Sequence, residues 1–316
     1  SHAGLLEALA KISDQKVTAI INTHSHDHHM GMNKQLGKGA TIYAHRAAVD
    51  LMRSDLDVLV EWPETAMPNH LITTDTSFIF NGETIQLIPA PGGHGKDDLL
   101  VYFPDSKVAC TGGVLKSGSY PMIDYARGGD FRNFPQIAST ALSYFPRDVT
   151  FVQSHGDNFN YDKALDYTKR LQKSIGIIRT NVDRGLDAKA MIAADVLKQV
   201  AAGESAYAGR NFWIQAIYRG LSEKNNGVKR NLAAPLYKVL QLGSAQDAVA
   251  LYLKLKSTRQ EDFGFNEGVL NLLGYSLMGK ERYSDAIVIF KLNKGEYPSS
   301  SNVYDSLGEA YMKKGQ

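Results

Sequence analysis

The chain has 316 residues, 43% of them hydrophobic, which is enough material for more than one core. Its formal net charge of +2 is too mild to point to nucleic acid or an anionic membrane surface as a partner. Cys110 is the single cysteine, so an internal disulfide is excluded, and no apolar run approaches the length of a membrane span. The N-terminus shows no signal-peptide pattern, and the expectation is a soluble protein. A periplasmic or secreted location stays open if a leader and an N-terminal segment have been removed.

Residues 1–160 alternate short apolar runs with Gly, Pro, Asn and Asp punctuation, the pattern of a sheet-containing α/β (α+β) domain. A helix is predicted over Gly4 to Ile12, where Leu5, Leu6 and Leu9 share a face, and a strand over Val17 to Asn22. Next come a strand at Thr41 to Ala44 and a helix at His45 to Val60. Strands follow at Ser77 to Phe80 and Thr84 to Pro89, joined by the hairpin signal Asn81-Gly82. Further strands are expected at Leu99 to Phe103, Lys107 to Thr111 and Val149 to Gln153, with a helix at Phe134 to Phe145.

From Tyr161 onward helical periodicity replaces strand signals, which places a boundary near residue 160. Helices are predicted over Tyr161 to Arg184, Ala188 to Ala201, Asn211 to Ser222, Ala233 to Leu242 and Ala245 to Ser257, with Gly185, Gly203 and Gly243 as breaks. Residues 161–260 read as a helical region and residues 261–316 as a repeat. Leu273-Gly274 recurs 34 residues later as Leu307-Gly308, and Met278 as Met312. With Ala286, Phe290 and Pro298 in the expected places, this segment resembles the tetratricopeptide family, ending after the first helix of a second repeat. The resemblance implies a surface able to recruit a protein partner; an ordinary helical hairpin is the alternative.

The chemistry concentrates in His24-Ser25-His26-Asp27-His28-His29, just past the first predicted strand. Imidazole is neutral near pH 7 and borderline in softness, so four in six residues suit a transition metal such as zinc better than magnesium or calcium. His94 and His155 also follow β-type runs and stand beside glycines, so each ring can point into a cleft at a sheet edge. His2, His45 and His70 lack such a setting. No Gly-rich loop with a Gly-Lys-Ser/Thr ending is present, and Cys110 sits inside an apolar strand, so nucleotide binding and cysteine catalysis have no support.

The order and spacing of these histidines resemble the metallo-β-lactamase superfamily, with its His-x-His-x-Asp-His loop and two later histidines. The segments Gly93-His94-Gly95-Lys96-Asp97-Asp98 and Gly112-Gly113-Val114-Leu115-Lys116-Ser117 are similar to zinc β-lactamase stretches. The resemblance implies an αβ/βα sandwich. Family members carry several strands before the histidine loop, whereas about twenty residues precede it here, so N-terminal strands are expected to be missing.

Carried over residue by residue, the resemblance makes His24, His26 and His94 the first zinc site, with an open position for water. His28, His29 and His155 fall at a second site that loses two family ligands, since His28 replaces an aspartate and Val114 a cysteine. Asp27 is the adjacent candidate for a catalytic carboxylate. Lys116 and Ser117 match a substrate-binding segment, and Arg127, in the glycine-rich stretch 117–130, could hold a substrate anion. The implied function is a zinc-dependent hydrolase in which metal-bound hydroxide attacks an ester, thioester, lactam or related small-molecule substrate carrying an anionic group. The alternative is a weak or silent metal-binding scaffold whose repeats recruit a partner.

Overall fold

A computed structural model describes residues 2–54, 62–200, 209–222, 232–260 and 262–315. They fall into two compact units. The first holds the described residues up to Met52 and from Trp62 to Ser222; the second holds Arg53, Ser54 and the residues from Leu232 onward.

The first unit opens with α1 (His2–Ile12), β1 (Ala19–Ile21) and two single-turn helices, α2 (Asp27–Met30) and α3 (Asn33–Leu36). After β2 (Thr41–His45), α4 (Arg46–Met52) and β3 (His70–Ile72) come β4 (Thr76–Phe80), β5 (Glu83–Pro89), β6 (Leu99–Phe103) and β7 (Val108–Cys110). The unit continues with α5 (Phe134–Ser143), β8 (Thr150–Val152), β9 (Phe159–Asn160), α6 (Tyr161–Asp183), α7 (Ala188–Ala193) and α8 (Arg210–Ser222). Strands β1, β2 and β3 pair in that order as a parallel three-stranded sheet. A six-stranded sheet runs β4 to β9 in sequence order and is antiparallel except where β7 meets β8.

Strand alternation explains how the sheets stack. In β6, Leu99 and Val101 join Ile72, Ile85 and Leu87 in a core that also takes Ile21 and Tyr43 from the three-stranded sheet. Leu100 and Tyr102 point the other way, into a core shared with α5, α6 and α8 through Phe134, Leu171 and Trp213. Because successive side chains face opposite sides, a strand covered on both faces reads as an unbroken apolar run, as Leu99 to Phe103 does. The two sheets and their helices therefore form the layered mixed α/β architecture expected from the sequence.

Several element ends differ from expectation. The described part of the helix predicted to reach Val60 ends at Met52, and residues 55–61 lie outside the described residues. The helix predicted to run to Ala201 stops at Ala193, where Asp195 turns left-handed (φ 45°) and its carboxylate accepts Arg210 Nη1 at 2.6 Å; Ala201 lies outside the described residues. Helix α1 leaves Leu5 and Leu6 exposed. Strands β3 and β9, of three and two residues, are too short to leave a periodic signal. The change of texture at residue 160 marks the end of strand-forming sequence, whereas α6, α7 and α8 still pack into the core of the first unit.

The second unit is all helical: α9 (Ala233–Leu242), α10 (Ala245–Thr258), α11 (Glu267–Gly279), α12 (Tyr283–Glu296) and α13 (Ser301–Lys314). Helix α10 starts with a full capping box made by Ser244 and Asp247. Helices α11 and α12 approach so closely that a Cβ at Gly274 would lie 2.4 Å from the Phe290 ring, which accounts for that glycine. No such neighbour surrounds Gly308. Tyr275 Oη donates to Glu309 Oε2 at 2.9 Å, joining residues 34 positions apart.

Candidate metal centre

His24, His26, His94 and His155 sit on loops that follow strands of the first unit, and His28 and His29 lie in the single-turn helix α2. Thr23, just beyond β1, accepts Leu99 N–H through its carbonyl at 2.8 Å, which stitches the first histidine loop to the second sheet. Ser25, between His24 and His26, is tethered twice: its N–H donates to Asp97 Oδ2, and its hydroxyl accepts Arg127 Nη1, both at 2.7 Å. Gly95 N–H donates to Asp98 Oδ2 at 2.7 Å and closes the loop carrying His94. Burial, followed by the neighbouring Asp97, pushes the Asp98 carboxyl well above the usual range. Two glycines make room for His94, since a Cβ at Gly113 would stand 2.2 Å from its ring and one at Gly129 2.2 Å from its carbonyl oxygen.

Six histidines meet in one pocket as two groups of three. His24, His26 and His94 bring one ring nitrogen each within 4.8 Å of the others, and so do His28, His29 and His155. The groups adjoin, with His24 and His29 ring centroids 4.0 Å apart. Lys116, Met122, Gly113 and Ser154 complete the lining.

The outward-facing nitrogens of the first group are engaged. His94 Nδ1–H donates to the Met122 carbonyl at 2.8 Å, and His26 Nε2–H donates to Asp124 Oδ2 at 2.9 Å. This leaves His94 Nε2 and His26 Nδ1 facing each other at 3.3 Å. With both outer protons committed, two lone pairs point at one another, an arrangement that calls for a cation between them. Tetrahedral zinc with Zn–N bonds of about 2.0–2.1 Å separates its nitrogens by roughly 3.3 Å, so the donor set fits that ion. His24 Nδ1 lies 3.2 Å from Thr23 Oγ1, which leaves its Nε2 for the same purpose.

Electrostatics favour the neutral form of His24, His29 and His94. Burial, then the charge of neighbouring imidazoles, holds His24 well below the ordinary histidine range and lowers His29 to about 3. Burial likewise lowers His94 to about 4, against the opposing pull of the Met122 hydrogen bond. Burial would raise Asp124, but its bond to His26 and the adjacent Arg127 outweigh this and hold it as a carboxylate. Lys116 is buried and its ammonium is pushed below the ordinary lysine range, with Asp98 resisting the shift.

Three residues expected at the site lie outside the histidine pocket. Asp27, expected as a catalytic carboxylate, has a side chain 62% exposed and outside the pocket lining; its Oδ1 accepts His28 N–H at 2.7 Å. The reason is that α2 begins at Asp27, which turns its side chain outward. Arg127, expected to hold substrate, is buried behind Asp124 with its guanidinium on Ser25 Oγ and 3.4 Å from Asp124 Oδ2. It supports the centre from the rear. Ser117 borders a neighbouring cavity rather than the histidine pocket. Val114, in the place of a family cysteine, is buried in the core.

Sequence reasoning missed Asp97, Asp98, Asp124 and Gln153. The first two stand beside His94 and could have been flagged as a buried acidic pair. Asp124 is 98 residues from His26 and carries no local signal.

A layered α/β unit with two adjoining histidine groups beyond the ends of its strands defines a candidate metal-binding site. The family model of the metallo-β-lactamase superfamily matches residues 2–175, and the chain belongs to that superfamily. Metallo-beta-lactamase type 2 of Bacteroides fragilis is 25% identical over 157 residues, covering 49% of this chain and 59% of that protein. Metallo-beta-lactamase IND-1 of Chryseobacterium indologenes is 22% identical over 157 residues, covering 49% of this chain and 62% of that protein. The chain thus spans less than two thirds of the length of these curated relatives. Among solved structures, the stereoselective inverting sec-alkylsulfatase Pisa1 from Pseudomonas sp. superposes with a TM-score of 0.55 at 14% identity, over 99% of this chain and 56% of that one. That likeness concerns the fold alone. Among the described residues, no helix is long and apolar enough to cross a membrane.

Proposed function

We propose that the protein is a zinc-dependent hydrolase acting on a small substrate that carries an anionic group. The observation that carries this reading is the pair of facing nitrogens, His26 Nδ1 and His94 Nε2, whose 3.3 Å separation suits a tetrahedral ion. His24, His26 and His94 would hold the first ion, and His28, His29 and His155 a second. When bound, zinc supplies Lewis acidity and a nucleophile drawn from water near neutral pH.

The chain's own residues supply orientation. Asp124 and the Met122 carbonyl fix two imidazole tautomers, and Arg127 and Asp97 hold the loop between His24 and His26 in place. Lys116 offers a cation at the pocket wall, where burial strengthens its pull on a substrate carboxylate or sulfate. The alkylsulfatase activity for which Pisa1 is named also fits a substrate with an anionic group. With imidazole at His28 in place of the usual carboxylate and valine at Val114 in place of the usual thiolate, the second ligand set carries no negative charge, which further favours an anion at the pocket.

We also propose that residues 261–316 of the second unit are built of tetratricopeptide-type repeats. Support comes from the 34-residue recurrence of Leu-Gly and the tight Gly274–Phe290 contact.

The test is metal analysis followed by turnover. Chelator-treated protein is reconstituted with zinc, its metal content measured, and its activity followed on a panel of lactams, esters, thioesters and sulfate esters. Activity that depends on zinc and vanishes in His24→Ala supports the reading; no turnover of any class by the zinc-loaded protein refutes it.

A further inference from the structure

A second cavity adjoins the histidine pocket and shares His155 with it. It offers about 270 Å³, near the lower end of small-molecule sites. Its polar lining comes from two loops and a helix: Ser117 and Ser119 from the first loop, Asp157 and Asn158 from the second, and Lys163 from the first turn of α6. Among the described residues, no aliphatic side chain borders it, and His155 is its one aromatic ring.

The walls are held by a buried amide. Gln153 Oε1 accepts Ser117 N–H at 3.0 Å, and its Nε2 donates to the Asp157 carbonyl at 2.7 Å. One side chain thereby spaces the Lys116–Ser117 loop from the His155–Asp157 loop. Gly156 crosses it with φ +116°, where a Cβ would stand 2.8 Å from Gln153 Nε2. The cavity is therefore a built feature, set by the same bond that places His155 relative to Lys116.

We infer that this cavity receives the non-reacting part of the substrate, and that this part is hydrophilic and amide-bearing rather than an alkyl chain. Hydroxyls that both donate and accept, a primary amide, one ammonium and one carboxylate match a group presenting donors and acceptors together. An alkyl group here would strip water from these atoms and return no hydrogen bond. The inference deepens the hydrolase reading and rests on it for its kinetic arm; its binding arm is independent.

The experiment compares three p-nitrophenyl esters on the zinc-loaded protein: acetate, pentanoate and N-acetylglycinate. The last two have acyl chains of equal length and differ by an amide. The expected result is a kcat/KM at least about tenfold higher for N-acetylglycinate than for pentanoate, with the ratio collapsing in Ser119→Leu. Asn158→Leu serves in its place if that variant does not fold. Equal or reversed preference in the wild type overturns the inference while leaving the hydrolase reading intact. If no ester is turned over, saturation-transfer NMR with N-acetylglycinamide decides. A signal lost in the leucine variant supports the cavity assignment even as the hydrolase reading weakens, and absence of a signal overturns it.

Discussion

Asp124→Asn offers a direct probe of the first histidine group. The substitution keeps the shape of the side chain but removes the charge that receives His26 Nε2–H at 2.9 Å. It also weakens the ion pair with Arg127, 3.4 Å away and 5% exposed. Losing a partner that fixes a ligand's tautomer and orientation typically costs 10- to 100-fold in metal affinity, about 1.4–2.7 kcal/mol. Asp124 is bonded to a ligand of the first group, so a two-site titration should show one weakened phase and one unchanged. Competition against a chromophoric chelator reads the affinities, and thermal melts of the metal-free proteins control for folding. Zinc binding by Asp124→Asn within threefold of wild type, with an unchanged Tm, would refute the view that this carboxylate orients His26.

Four further outcomes are expected. Gly113→Ala places a methyl 2.2 Å from the His94 ring, and calorimetry should find first-site metal binding lost while circular dichroism stays native. Lys116→Ala should raise KM for anionic substrates by roughly tenfold or more with metal content unchanged, because it removes the ammonium from the pocket wall. In the metal-free protein, His24, His29 and His94 titrate below the unfolded value of 6.5, so the folded state binds fewer protons and stability declines as pH falls from 6.5 towards 4. Burial lowers His45 and His155 in the same sense, whereas Asp98, shifted upward, works in the opposite direction; urea melts in chelator that stay flat from pH 7.5 to 5 would contradict a net loss of stability on acidification. In the helical unit, Gly274→Ala drives a methyl to 2.4 Å from Phe290 and should cost about 1–3 kcal/mol by denaturant unfolding.

Local patterns carried much of the architecture into the sequence. Strand β6 and helix α9 occupy the predicted spans, because an unbroken apolar run of five residues and a ten-residue amphipathic stretch each have one economical folded form. The histidine loop was legible for the same reason: ligand chemistry is concentrated in six consecutive residues. Short strands such as β3 escaped, since three residues carry no period. The end of α7 escaped because a polar bond from Asp195 to Arg210 decides it.

What the sequence by itself determined is the kind of donor available: six imidazoles, with histidine where a carboxylate is usual at position 28 and valine where a thiolate is usual at position 114. Residue type is covalent, and no fold can turn valine into a ligand. Only the tertiary structure decided that Asp124, rather than the adjacent Asp27, is bonded to His26, and that Arg127 stands behind the centre. These outcomes depend on contacts between residues about one hundred positions apart, where direction is set by packed loops and by which nitrogen of each ring already holds a partner.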